Sequence, residues 1–224
     1  MNSLPRLHLI TDDVMLADPR FTEMAERVLE CCGRTLALHV RGPAATGAQL
    51  HAIATRLQTA ALRAGAWLLV NDRVDVAMAV RANGVQLGAR SLPVADARAL
   101  LGAGARIGCS VHSATEALQA ESDGADFVVL GTIFETASHA GRAAAGTQLV
   151  RDTTARTVLP VIAIGGITPV RVSEAADAGA HGVAVLGGVW RAGDPAAAAA
   201  EYVAAVRAAW PQQGPDDLHD GRTR

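Results

Sequence analysis

Lysine is absent from this chain: all 20 basic residues among its 224 are arginine. That excludes lysine Schiff-base chemistry and the lysine of a P-loop. Cysteine is scarce, with the adjacent pair Cys31-Cys32 and a lone Cys109. These match neither a disulfide framework nor a zinc-ligand pattern. No apolar run reaches the roughly 18 residues that would span a membrane. Met1 to Arg6 lack the charged-then-apolar layout of a signal peptide, so a reducing cytoplasm is the expected location. The 22 acidic groups offset the basic ones to a net charge of −2, which leaves no general electrostatic footprint for nucleic acid.

What the chain does have is apolar residues, 50% of the total, enough for one core-bearing domain. They fall into short runs at Leu7–Ile10, Leu36–Val40, Ala66–Val70, Gly84–Leu87, Arg106–Cys109, Phe127–Leu130, Val161–Ile164 and Gly182–Leu186. Between the runs lie segments of helical period. In Gly47–Arg63, for example, Leu50, Ile53, Ala54, Leu57 and Ala61 share one stripe. Eight strand candidates, each followed by a helix candidate, predict an α/β fold with a parallel sheet and crossover helices. Most strands are apolar on both faces, as burial on both sides requires.

The expected architecture is a single (β/α)₈ TIM barrel over residues 1–210, with a short, disordered C-terminal tail over 211–224. An open doubly wound sheet ranks second, because Thr11-Asp12-Asp13 stands where a Gly-x-Gly-x-x-Gly turn would follow the first strand. The alanines Ala196–Ala200, just after Pro195, read as the start of an ordinary helix.

A parallel barrel carries its chemistry at the C-terminal ends of its strands. There the sequence places Gly165-Gly166 after strand seven and Gly187-Gly188 after strand eight. Such loops form phosphate sites, because backbone N–H groups without side chains let an anion approach closely; tight turns are the plainer explanation. Thr168 is a candidate N-cap with Pro169 at the first helical position. His112, at the end of strand five, suits proton transfer near neutral pH or is an ordinary loop residue. Ser113 and Glu116 beside it have capping-box spacing. Asp72 could ligate Mg²⁺ or cap the following helix. His39 and Arg41 share one side of strand two, and Arg41 could hold an anion or sit in a surface ion pair. His8, His51, His181 and His219 read as structural or exposed, and Cys109 as a small apolar strand residue.

Asn71-Asp72-Arg73-Val74-Asp75-Val76-Ala77, Gly84-Val85-Gln86-Leu87-Gly88 and Ala163-Ile164-Gly165-Gly166-Ile167-Thr168-Pro169 resemble the thiamine phosphate synthase family of phosphate-binding barrels. The similarity runs from about Leu7 to Tyr202. Ser110-Val111-His112-Ser113, Glu116-Ala117 and Phe134-Glu135-Thr136 are similar to its TenI-like thiazole tautomerase branch. Three departures separate the chain from the synthase pattern. His39-Val40-Arg41-Gly42-Pro43 replaces Gln-x-Arg-x-Lys, and Ser91 replaces an aspartate that ligates magnesium. Thr136-Ala137-Ser138-His139 replaces Thr-x-Thr-Lys. Each loss removes charge needed to displace pyrophosphate.

The resemblance therefore implies an isomerase that aromatises a carboxylated thiazole phosphate. His112 would remove the ring C2 proton, and the phosphate would rest on Gly166, Leu186, Gly187 and Gly188. His39, Arg41, Asn71, Ser110, Thr136, Ser138 and His139 would complete the substrate site. No cofactor or metal is expected in that reading. The synthase alternative joins hydroxymethylpyrimidine diphosphate to thiazole phosphate and calls for Mg²⁺ at Asp72. A non-catalytic binder of such phosphates is the third possibility, and a homo-oligomer stays open.

Overall fold

A computed structural model describes residues 3–136 and 144–211. Its strands are β1 (Leu7–Ile10), β2 (Leu36–Val40), β3 (Trp67–Asn71), β4 (Gly84–Leu87), β5 (Arg106–Val111), β6 (Phe127–Gly131), β7 (Val161–Ile164) and β8 (Gly182–Val185). They pair in parallel and in sequence order, with β8 closing on β1. This is a (β/α)₈ barrel, and every strand expected from the apolar runs is present. The main shift is that β5 continues two residues further, which puts Ser110 inside the strand.

The helices are α1 (Asp13–Leu16), α2 (Phe21–Cys32), α3 (Gly47–Ala64), α4 (Val74–Val80) and α5 (Val94–Leu101). They continue as α6 (Ala114–Ser122), α7 (Gly146–Thr154), α8 (Val172–Asp177), α9 (Gly187–Trp190) and α10 (Pro195–Ala209). Local chemistry fixes several ends. Thr46 and Gln49 form a reciprocal capping box on α3, whose stripe buries Leu50, Ala54, Leu57 and Ala61 against the sheet. Asp194 caps α10, with Pro195 in its first turn. Thr168 departs from expectation: it makes no side-chain cap, and a 3₁₀ turn, Pro169–Arg171, precedes α8.

Two apolar layers result. One lies between the strands and the helices. The other fills the barrel with Ile10, Ala37, Trp67, Leu69, Phe127, Val129, Ile162 and Ala184. The barrel interior also holds two polar rings, His8 and His39, both fully buried. His8 packs on Phe127 with ring centroids 5.6 Å apart. Burial keeps both imidazoles neutral: it pushes His39 from the usual 6.5 down to about 4, and His8 well down, with His39 and His181 facing it.

The sign of the pH effect follows. The unfolded chain takes up protons on these rings below about 6.5 and the folded chain does not, so stability falls as pH drops. Between pH 6.5 and 5 the loss from His39 is expected to be about 2 kcal/mol, and His8 acts in the same direction. Urea unfolding at pH 7 and 5 measures it. His39→Gln should flatten the pH dependence, and an unchanged slope would mean that the ring is charged in the folded protein.

Candidate active site

The wide end of the barrel, where the strands terminate, holds a cavity of about 620 Å³. Small or polar inward residues leave this end open: Ser110 on β5 and Gly131 on β6 supply no apolar bulk. Asn71, Gln86, Ser110 and His112 line one wall, and Gly165, Gly166, Leu186, Gly187 and Gly188 line the other. β3 and β7 stand four positions apart in an eight-stranded ring, so these walls face each other.

On the β7–β8 side, Gly166 is required by the backbone. Its φ is +62°, and a Cβ there would come within 2.3 Å of the Glu135 carbonyl oxygen. Gly188 is required by packing, since a Cβ would sit 2.3 Å from the Tyr202 hydroxyl. That hydroxyl donates to the Ile167 carbonyl at 3.0 Å and ties α10 to the loop. Leu186 precedes α9, and the first amides of a helical turn have no intrahelical acceptor, which suits an anion.

Two guanidinium groups beside these glycines were missed by the sequence reading. Arg171 lines the cavity, donates to the Gly166 carbonyl at 3.0 Å and stacks over Phe134 at 4.7 Å. Arg191 lines it too and lies 3.6 Å from Asp12. Their signal was spacing: Arg171 follows Gly166 by five residues, and Arg191 follows Gly188 by three. Both lie within the turns that the glycines begin.

From the end of β2, two strands from β8 and three from β7 in the ring, Arg41 reaches the cavity. Its backbone is clamped to Thr11, with N–H to Oγ1 and Oγ1 to carbonyl both at 2.8 Å. Among the described residues no carboxylate lies within ion-pair distance of it. His39 does not reach the cavity wall. It is buried one layer below, with Nδ1 3.2 Å from Asn71 Oδ1.

Asp72 is not the cap of α4: Arg73 occupies that position, and Asp72 sits at φ +62°. Its Oδ1 accepts from the Gly88 N–H at 3.2 Å and from the Ser91 hydroxyl. The donor set there is one carboxylate and one hydroxyl, and among the described residues no group of three or more His, Cys, Asp or Glu could hold a metal. Mg²⁺ characteristically takes one or two protein carboxylates and completes its shell with substrate phosphates and water. One carboxylate after β3, beside the cavity rather than among its lining residues, fits that use, though not a cage built wholly by protein.

His112 lies exposed on the rim of β5. Ser113 caps α6 through the Glu116 N–H at 3.1 Å, while the Glu116 carboxylate accepts from the His112 N–H at 2.7 Å. The expected capping box thus closes one residue early and fixes the His112 backbone. Ser110 accepts from Gln86 Nε2 at 3.0 Å, and Thr136 is on the cavity wall. Ser138, His139 and His219 lie outside the described residues, as does the expected tail from residue 212. His51 is exposed, His181 packs at the closed end against the Leu4 carbonyl at 3.0 Å, and Cys109 is half-buried. Among the described residues no helix is long and apolar enough to cross a membrane.

The family model described as thiamine monophosphate synthase matches residues 7–189. A thiamine-phosphate synthase of Salinispora arenicola is 39% identical over 92% of this chain and 99% of its own. One from Chlorobium limicola is 41% identical over 80% of this chain and 85% of its own. The structure of a thiamine phosphate pyrophosphorylase from Pyrococcus furiosus superposes with a TM-score of 0.79 at 32% identity, covering 91% of this chain and 96% of that one.

These relatives overturn the isomerase expectation. The physical error lay in counting cations only at the motif positions. Two lysines are missing, but Arg171 and Arg191 bring positive charge to the same cavity from positions the motifs do not cover. The missing aspartate leaves one carboxylate, a number that Mg²⁺ accepts when phosphates share its coordination.

Proposed function

The chain belongs to the thiamine monophosphate synthase family, and from that premise we propose that it joins hydroxymethylpyrimidine diphosphate to thiazole phosphate. The thiazole ring nitrogen forms a bond to the methylene carbon of the pyrimidine. The carbon–oxygen bond to the diphosphate breaks, and pyrophosphate leaves with the bonding pair. The observation that carries this reading is one cavity lined by the β7–β8 glycines, Arg171 and Arg191 on one side and by Arg41, Asn71, Gln86 and Ser110 around the rest, in a chain 39% identical to a synthase along nearly its whole length.

The β7–β8 loops would hold the thiazole phosphate on the amides of Gly166, Gly187 and Gly188, with Arg171 and Arg191 supplying positive charge. Arg41 after β2 and Asp72 after β3 would take the diphosphate end. Asp72 would hold Mg²⁺ together with the substrate's phosphates, and the ion would supply neutralisation of the charge on departing pyrophosphate. Anchoring one substrate on each wall converts a bimolecular encounter into an oriented one. Asn71, Ser110 and Thr136 would orient the rings between them. Ser138 and His139 stay candidate contacts on sequence grounds.

This chemistry needs no base, since the ring nitrogen attacks with its lone pair and loses no proton. His112 is then a binding side chain. His112→Asn is expected to lower turnover by less than about 10-fold, whereas loss of a general base costs about 10²–10⁴-fold. Steady-state kinetics at pH 7 separates the two. The proposal as a whole is tested by pyrophosphate release. It should require both substrates and Mg²⁺ together, and release at the same rate without the thiazole phosphate would reduce the protein to a diphosphate hydrolase.

A further inference from the structure

The barrel interior contains a hydrogen-bonded row with a fixed end. His8 Nε2 lies 3.0 Å from the Pro5 carbonyl, His8 Nδ1 lies 2.8 Å from His39 Nε2, and His39 Nδ1 lies 3.2 Å from Asn71 Oδ1. Both rings are fully buried, and only Asn71 reaches the cavity. We propose that His8 and His39 are positioning residues that set which end of the Asn71 amide faces the ligand.

The argument is proton accounting. A carbonyl oxygen can only accept, so His8 must carry its proton on Nε2. A neutral imidazole has one N–H, which leaves His8 Nδ1 as an acceptor. His39 must then donate from Nε2, and its own Nδ1 becomes an acceptor in turn. The Asn71 atom facing it must therefore donate. As placed, the row ends on an oxygen at both sides, and two neutral rings carry only two protons for its three contacts. The two ends of an amide are nearly isosteric, so turning the Asn71 amide over to put its NH₂ on the His39 side satisfies all three. The reverse order would set His8 Nε2, without a proton, against the Pro5 oxygen. Protonating a ring would also break the order, and burial opposes a charge at both positions.

Asn71 consequently turns its carbonyl oxygen into the cavity. That oxygen discriminates: it rewards a ring that brings an N–H donor and leaves a ring with only acceptors unpaired. On the proposed transferase reading, on which this part of the inference rests, the ligand it selects is an amino-bearing pyrimidine rather than the thiazole.

The row is read directly by ¹⁵N NMR of the histidine side chains in the wild-type protein, with no ligand or turnover required. Between pH 6 and 8 both rings are expected in the Nε2–H form, with Nδ1 unprotonated. Finding Nδ1–H or a doubly protonated ring at either position overturns the proposal and leaves the transferase assignment untouched. Substitution gives the functional readout. His39→Leu should raise the KM for hydroxymethylpyrimidine diphosphate by about 10-fold, the value of one hydrogen bond, with the KM for thiazole phosphate unchanged. His39→Gln should restore most of it, since its NH₂ can donate to His8 and its carbonyl can accept from Asn71. A leucine variant with wild-type KM, or a glutamine variant no better than leucine, contradicts the positioning role.

Discussion

Asp72→Asn is expected to lower kcat/KM for the pyrimidine diphosphate by about 10²–10³-fold, the scale of removing one charge-stabilising group from a preorganised site. Asparagine is the informative replacement because it tolerates the left-handed backbone at φ +62° and can still accept from Gly88 and Ser91. The fold should therefore survive while the negative charge is lost. Binding of thiazole phosphate, placed on the opposite wall, should be unchanged. The reciprocal variant is Ser91→Asp, which adds a second carboxylate beside the first. It is expected to lower the Mg²⁺ concentration for half-maximal rate by about 10-fold. Titrating Mg²⁺ against pyrophosphate release checks both. Equal magnesium dependence in all three proteins would remove Asp72 from the account.

Gly166→Ala is expected to have a comparably large effect by a different route. A Cβ at φ +62° is strained in any surroundings, and here it also meets the Glu135 carbonyl oxygen at 2.3 Å and the Phe134 Cβ at 2.8 Å. Backbone would have to move. The expected cost is about 2–4 kcal/mol of stability, together with about 10²-fold weaker thiazole phosphate binding as the amide swings away. Gly104 is the control, because a Cβ there meets nothing within 4 Å. Thermal unfolding and a calorimetric titration with thiazole phosphate distinguish the two glycines. If Gly166→Ala binds phosphate as the wild type does, the amide cradle lies elsewhere.

The barrel was legible because its signals are local. Runs of four or five largely apolar residues mark strands buried on both faces, and the segments between them repeat at helical spacing. Boundaries such as Leu7–Ile10 and Gly84–Leu87 came directly from that alternation. One punctuation residue was nearly as clear: Ser113 caps the helix that follows it, while the caps Thr46 and Asp194 were not read. Thr168 failed as a cap because the turn after it tightens to 3₁₀ and its hydroxyl meets no amide.

The site was legible only in part, because its contacts join distant strands. Glycine pairs after β7 and β8 and Arg41 after β2 follow from strand ends alone. Arg171 and Arg191 follow from helical geometry beyond those ends, which strand-end inspection does not reach. His8 and His39 were the least readable. They come from neighbouring strands, 31 positions apart. Only the pairing of β1 with β2 places one ring against the other beneath Asn71. Asp72 was ambiguous for a related reason: capping and metal binding both use an exposed carboxylate after a strand, and its true partners, Gly88 and Ser91, come from the next strand's loop.

The central claim is that this cavity joins two phosphorylated rings, and the most direct measurement is mass-spectrometric detection of the joined product. Purified protein with hydroxymethylpyrimidine diphosphate, thiazole phosphate and Mg²⁺ should yield thiamine phosphate and pyrophosphate in equal amounts, growing linearly with enzyme. Both substrates persisting unchanged, while thiazole phosphate still binds to the same protein, would contradict it.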